Sequence, residues 1–107
     1  MFYKKNPEYF REAFDGVKYK TLAWGEKTSL GEFLLEKGCD VPTHSHIHEQ
    51  TGYMISGKMT FTIDGEDHFT EAGDSWSIPG NVEHSVKVHE DSVVIEVFSP
   101  VREEYLP

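Results

Sequence analysis

Residues 38–57 read Gly-Cys-Asp-Val-Pro-Thr-His-Ser-His-Ile-His-Glu-Gln-Thr-Gly-Tyr-Met-Ile-Ser-Gly, and they place His44, His46, His48 and Gln50 close together. Imidazole is the commonest protein ligand for a metal near neutral pH. His44 and His46 are two positions apart, so on an extended strand both point to one side. Gln50 sets a geometric condition. A straight strand from 44 to 50 spans roughly 20 Å at about 3.3 Å per residue. Two ligands of one ion, each about 2 Å from it, lie at most about 4 Å apart. If Gln50 shares an ion with the histidines, the chain must bend between His46 and Gln50. The same residues also suit a polar, histidine-rich surface loop, and this stretch alone leaves both readings open.

The sequence on either side has the period of strands. Val17, Tyr19, Thr21 and Ala23 alternate with Lys18, Lys20, Leu22 and Trp24. Gly25-Glu26-Lys27 turns, Ser29 to Glu36 reads as a second strand, and Gly38 stops it. Gly52 to Ser56 is a short strand punctuated by Gly57. Met59, Phe61 and Ile63 then alternate with Lys58, Thr60 and Thr62, and Asp64-Gly65 is a two-residue hairpin signal. Glu66 to Glu71 returns, Trp76 to Pro79 is short, and His84 to His89 alternates. Glu90-Asp91-Ser92 turns before a last strand, Val93 to Phe98, whose near-continuous apolar run suggests burial on both faces. Residues 8–14 suit one helical turn or an irregular arm, ended by Asp15-Gly16. Eight or nine short strands without a long helix predict an all-β sandwich or barrel. The expected divisions are an arm over 1–16, a barrel over 17–98 and a tail over 99–107.

At 107 residues one domain is expected, with a modest but adequate core. A formal charge of −9 argues against nucleic acid and anionic membrane as partners, since both need a basic face. An anionic ligand would need a local cationic pocket. Cys39 is the single cysteine, so no intrachain disulfide forms and a reducing compartment is expected. The start, Met-Phe-Tyr-Lys-Lys-Asn-Pro, has no apolar signal core, and no apolar run approaches membrane-spanning length. Both observations predict a cytoplasmic protein.

His84 ends the stretch Gly73-Asp-Ser-Trp-Ser-Ile-Pro-Gly-Asn-Val-Glu-His84. Read alone, it is a surface or satisfied core histidine. Taken together, Gly38-x5-His44-x-His46-x3-Gln50-x6-Gly57 and Gly73-x5-Pro79-x-Asn81-x2-His84 resemble the two cupin motifs. Gln50 stands where most cupins have Glu. Asn81 replaces a turn glycine, which is tolerable because Asn also accepts left-handed backbone. Val88 replaces a final Asn that is not a ligand. The resemblance implies a jelly-roll (double-stranded β-helix) barrel and one divalent ion held by His44, His46, Gln50 and His84. A set of three imidazoles and an amide leaves positions open, as catalytic sites do. A neutral Gln in place of Glu leaves the ion its full 2+ charge and makes it a stronger Lewis acid. Such ligands suit Ni, Zn, Fe, Co or Mn and do not choose among them.

The narrower pattern of His-Ser-His-x-His-Glu-Gln, Gly-Tyr-Met-Ile-Ser-Gly, Phe-Thr-Ile-Asp-Gly-Glu, Ile-Pro-Gly-Asn-Val-Glu-His and Val-Phe-Ser-Pro-x-Arg-Glu-x-Tyr-Leu resembles the KdgF-type pectin-degradation cupins, from about Val17 to Leu106. The resemblance implies an enzyme that converts 4,5-unsaturated monouronates, the products of pectin and alginate lyases, to linear keto acids. It assigns function to Glu96, where the family usually has Asp, and to Phe98 and Arg102. Glu96 and Phe98 share a face, and a carboxylate buried in an apolar strand is costly without a role. A catalytic role or one supporting the metal ligands is therefore expected for Glu96 ahead of a structural ion pair, and the resemblance implies that it acts as an acid/base. The planar fork of Arg102 suits a substrate carboxylate; without the resemblance it reads as a solvated charge paired with Glu103 or Glu104. Phe98 is expected to contact substrate, and family habit suggests a homodimer. His48 has no assigned role, His68 and His89 are expected in solvent, and Trp76, Tyr53, Met54 and Phe33 as core or pocket wall. The rival functions are another metal-dependent enzyme on this barrel, such as a dioxygenase, or a non-catalytic metal- or sugar-binding module.

Overall fold

Period-two alternation decides which side chains enter the core. In the computed structural model, which describes residues 1–107, the chain forms β1 (Arg11–Phe14), β2 (Val17–Trp24), β3 (Ser29–Leu35), β4 (Asp40–His44), β5 (Glu49–Ile63), β6 (Glu66–Glu71), β7 (Ser75–Ile78), β8 (His84–Ser99) and a 3-10 turn over Glu103–Tyr105. Val17, Tyr19 and Thr21 point inward from β2, Phe33 and Leu35 from β3, Met59 and Phe61 from β5, and Val94 and Phe98 from β8. All neighbouring strands pair antiparallel.

The expected all-β jelly-roll architecture is present, but it is built on two long strands rather than many short ones. β5 and β8 pair from Glu49↔Ser99 to Ile63↔His84, with irregularities between Met54 and Met59. The first half of β5 adds β7, and its second half adds β6. The C-terminal half of β8 adds β3, then β2 and β1, while its N-terminal half adds β4. Two sheets therefore share the same two strands and enclose one core.

Three expectations are corrected. Gly57 and Glu90-Asp91-Ser92, read as breaks, lie inside β5 and β8. They are places where the strands bulge and bend from one sheet into the other, and bulges increase local twist without ending a strand. Residues 11–14 form an edge strand instead of a helical turn, since β2 offers them unpaired backbone. Finally, β8 is not buried on both faces: Val93 and Ile95 are half-buried, and Val97 is exposed.

The tail is folded back over the barrel. The Arg11 guanidinium donates to the carbonyls of Tyr105 and Leu106, each at 2.8 Å, and the Thr21 hydroxyl donates to the Tyr105 carbonyl at 2.7 Å. These bonds hold the Tyr105 ring against Tyr19, Phe33 and Phe98. Arg11→Ala is expected to cost about 1 kcal/mol, read as a lowered urea midpoint with an unchanged slope. An unchanged midpoint would show that Thr21 and the ring stack suffice to hold the tail.

Candidate metal centre and its acid

Two segments meet at one end of the barrel. β4 ends on His44, β8 begins on His84, and the two residues are paired in register. The connection after His44 bends at residues 47–48 before β5 starts, as an ion shared by His46 and Gln50 would require. That bend is pinned to the segment before His84. The Asn81 N–H donates to the His46 carbonyl at 2.7 Å. A Cβ on Gly80 would lie 2.4 Å from the Ile47 carbonyl oxygen, so only glycine permits this approach. Asn81 adopts φ 67°, the left-handed backbone its motif position demands.

The three imidazoles are oriented by the backbone. Nδ1–H of His44 donates to the Pro42 carbonyl at 2.8 Å, that of His84 to Val82 at 2.9 Å, and that of His46 to His48 at 3.0 Å. In this tautomer each ring turns its Nε2 lone pair inward. Ligand atoms of His44, His46 and His84 lie within 4.8 Å of one another. Burial, then the charges of Arg102 and His84, lowers the His46 pKa to about 4, and burial likewise lowers that of His84. Both rings are therefore neutral acceptors at pH 7.

His46 Nε2, His84 Nε2 and Gln50 Oε1 are buried acceptors without a hydrogen-bond partner. Buried polar atoms are rarely left so, and the convergence of the His44, His46 and His84 nitrogens within 4.8 Å matches the needs of a cation. The set fits a divalent ion with imidazole and amide ligands. His48 is buried but lies outside the three-histidine group. Its carbonyl orients His46, and its Nδ1 is also buried without a hydrogen-bond partner. His68 and His89 are exposed, as expected. Tyr53, expected as core or pocket wall, is instead 49% exposed, because strand alternation turns it outward between buried Gly52 and Met54.

Glu96 lies beside this cluster and is 7% exposed. Gln50 Nε2–H donates to its Oε2 at 2.6 Å, and the Trp76 indole N–H donates to its Oε1 at 3.2 Å. Since Gln50 spends its NH2 on the carboxylate, its Oε1 is turned away to join the histidine acceptors. Desolvation raises the Glu96 pKa to about 7, against the opposing pull of Trp76, Arg102 and Gln50. A carboxyl group of that acidity both holds and releases a proton at neutral pH.

Arg102 is more than a solvated charge on the tail. Its side chain is 13% exposed, its Nε donates to Glu104 at 2.8 Å, and its guanidinium lies 4.0 Å from the Tyr105 ring centroid and 4.9 Å from that of Phe98. His44, Gln50, His84, Glu96, Arg102 and Tyr105 help line one hollow of about 60 Å³. Phe98 is buried edge-on to His46 at 6.0 Å between centroids. The link from Trp76 to Glu96 and the stacking of Tyr105 were not legible in the sequence, because both depend on cross-strand neighbours. Lys18 and Lys20 point away from the hollow, and Lys20 binds the Asn6 carbonyl.

Comparison with known proteins agrees with this geometry. The cupin domain family matches residues 31–99. The pectin degradation protein KdgF of Dickeya dadantii is 32% identical over 99 residues, covering 91% of this chain and 90% of that protein. The structure of KdgF from a Halomonas species superposes with a TM-score of 0.91 at 26% identity, covering 99% of this chain and 98% of the other. An RmlC-like cupin from Shewanella frigidimarina gives a TM-score of 0.88 at 26% identity, over 94% and 90% of the two chains. The chain belongs to the cupin domain family and, within it, to the KdgF type.

Proposed function

We propose that this protein is a metal-dependent enzyme that converts 4,5-unsaturated monouronates to their linear keto acids. The observation that carries the reading is the gathering of three imidazoles, their ligand atoms within 4.8 Å of one another, at a hollow that Gln50, a buried acid and an arginine also line. The likeness to a pectin degradation protein supplies the substrate class. His44, His46, Gln50 and His84 would hold the ion, which when bound supplies a Lewis acid for substrate oxygens.

The chain's own groups do the rest. Opening the cyclic hemiacetal and turning the enol into a ketone are both proton transfers. Glu96 takes the proton of the anomeric hydroxyl and delivers one to the carbon of the enol. Trp76 and Gln50 hold its two oxygens while the proton moves. Arg102 offers its two terminal nitrogens to the substrate carboxylate, since Glu104 occupies Nε. Phe98 and Tyr105 exclude water from the face of that ion pair.

The test follows the loss of the enol-ether absorbance of an unsaturated monouronate. Metal-loaded protein is expected to accelerate it, and chelation to return the rate to the spontaneous background, with recovery on adding back one of Ni, Zn, Fe, Co or Mn. A rate equal to background for metal-loaded protein rejects the reading. Arg102→Lys is expected to raise KM about tenfold or more with a smaller effect on kcat, because a point charge replaces a fork. An unchanged KM in initial-rate measurements would assign Arg102 to its ion pair with Glu104 alone.

A further inference from the structure

Glu96 sits in a row of cross-strand neighbours with an unusual composition. Trp76 of β7 is paired with Gly52 of β5, Gly52 with Glu96 of β8, and Glu96 with Gly31 of β3. The carboxylate therefore has a glycine on each side. Residues directly opposite on neighbouring strands share a face, so Trp76 and Glu96 point the same way but stand two strand spacings apart, roughly 10 Å between backbones. An ordinary side chain at 52 would stand between them.

Gly52 is buried, and the indole of Trp76 occupies the space its side chain would take. A Cβ on Gly52 would lie 2.3 Å from Cε2 and Nε1 of the indole and 2.5 Å from Cζ2. The ring thus lies across the bare backbone of β5, and its N–H reaches Glu96 Oε1 at 3.2 Å. On its other side Trp76 lines an outer cleft together with His68, Asp74 and Ser77, while Phe61 lines both that cleft and the inner hollow. The indole stands at the seam left between β6 and β7, which pair with different halves of β5.

We propose that Trp76 is a positioning residue for the acid: its indole, laid over the empty place at Gly52, fixes one oxygen of Glu96 and closes the barrel seam behind it. The role of Glu96 itself rests on the function proposed above. A carboxylate held by Gln50 alone would swing about that single bond; the second donor, from the opposite side, sets the plane of the group. Trp76 acts only through Glu96 and touches no substrate. Gly52 matters for what it lacks, so neither residue carries a chemical signal of its own.

Two measurements test the proposal. In zinc-loaded protein labelled with 15N, Trp24 and Trp76 give separate indole N–H resonances. The Trp76 resonance is expected to exchange slowly with deuterium and to shift in Glu96→Gln, whereas that of Trp24 stays in place. Gly52→Ala is expected to move the Trp76 resonance and speed its exchange. A Trp76 resonance indifferent to both substitutions overturns the proposal, whatever the protein's activity. In turnover, Trp76→Phe keeps the ring and loses the N–H. It is expected to lower kcat about tenfold, with KM changed less than twofold, and to lower it no further in a Glu96→Gln background. An equal loss in both backgrounds marks a packing effect and also overturns it. If wild-type protein leaves the uronate at its spontaneous rate, the proposed function fails, and the resonance measurement still decides the link between Trp76 and Glu96.

Discussion

Glu96→Gln is expected to lower turnover of the unsaturated uronate by about 10²–10⁴-fold, the usual worth of a positioned acid/base, while the ion stays bound. The substitution keeps the shape of the side chain and removes only its ability to carry a proton. The four proposed ligands are untouched, so metal content should remain near one ion per chain. Folding should change little in net. The amide has one acceptor oxygen, whereas Trp76 and Gln50 both donate to the present carboxylate, so one donor is left facing an NH2 at a cost of about 1–3 kcal/mol. Relief from burying a charge acts in the opposite direction. Progress curves, metal analysis and a thermal melt on one preparation separate these effects. A variant within threefold of the wild-type rate removes Glu96 from the chemistry and leaves the ion and Arg102 as the working groups.

Gly57→Ala is expected to destabilise the fold by about 3 kcal/mol or more, which for a domain of this size lowers Tm by roughly 15 °C. Gly57 has φ +105°, a conformation that L side chains rarely adopt. The added Cβ would also lie 2.1 Å from the Ser92 hydroxyl oxygen, 2.5 Å from the Ser92 Cα and 2.6 Å from the Asp91 carbonyl. Two of those three atoms are backbone, so no rotamer change clears them. Gly57 occupies the bulged region where β5 leaves β7 for β6. A wider bend there shifts the register on which Gln50 and Glu96 depend. A melt within a few degrees of wild type would show that the bulge yields freely and that glycine is dispensable.

The individual strands were legible because alternation is a local property. Met59 and Phe61 are buried opposite Lys58 as the pattern demanded. Continuity was not legible. Gly57 and Glu90-Asp91-Ser92 carry the residues of turns, and the same residues serve bulges inside long strands. The choice between turn and bulge depends on whether another strand continues the ladder. β1 illustrates the same point, because residues 11–14 become a strand only by pairing with β2.

The sequence by itself determined the metal-ligand candidates, through two motifs whose spacings constrain each other, and it marked Glu96 as an acid in an apolar strand. Spacing along a chain carries this information because a strand's reach and side-chain direction follow from backbone geometry. Only the tertiary structure decided how those groups are held. It turned the Nε2 atoms inward through backbone carbonyls, paired Gln50 with Glu96, laid Trp76 over Gly52, and placed Arg102 on Phe98 and Tyr105. The Gln50–Glu96 and Trp76–Gly52 contacts join separate strands, so no local pattern encodes them, and Arg102, though near Phe98 and Tyr105 in sequence, meets both rings only because the tail folds back over the barrel. The protein specifies its chemistry by residue type at fixed intervals, and its precision by which strands come to lie side by side.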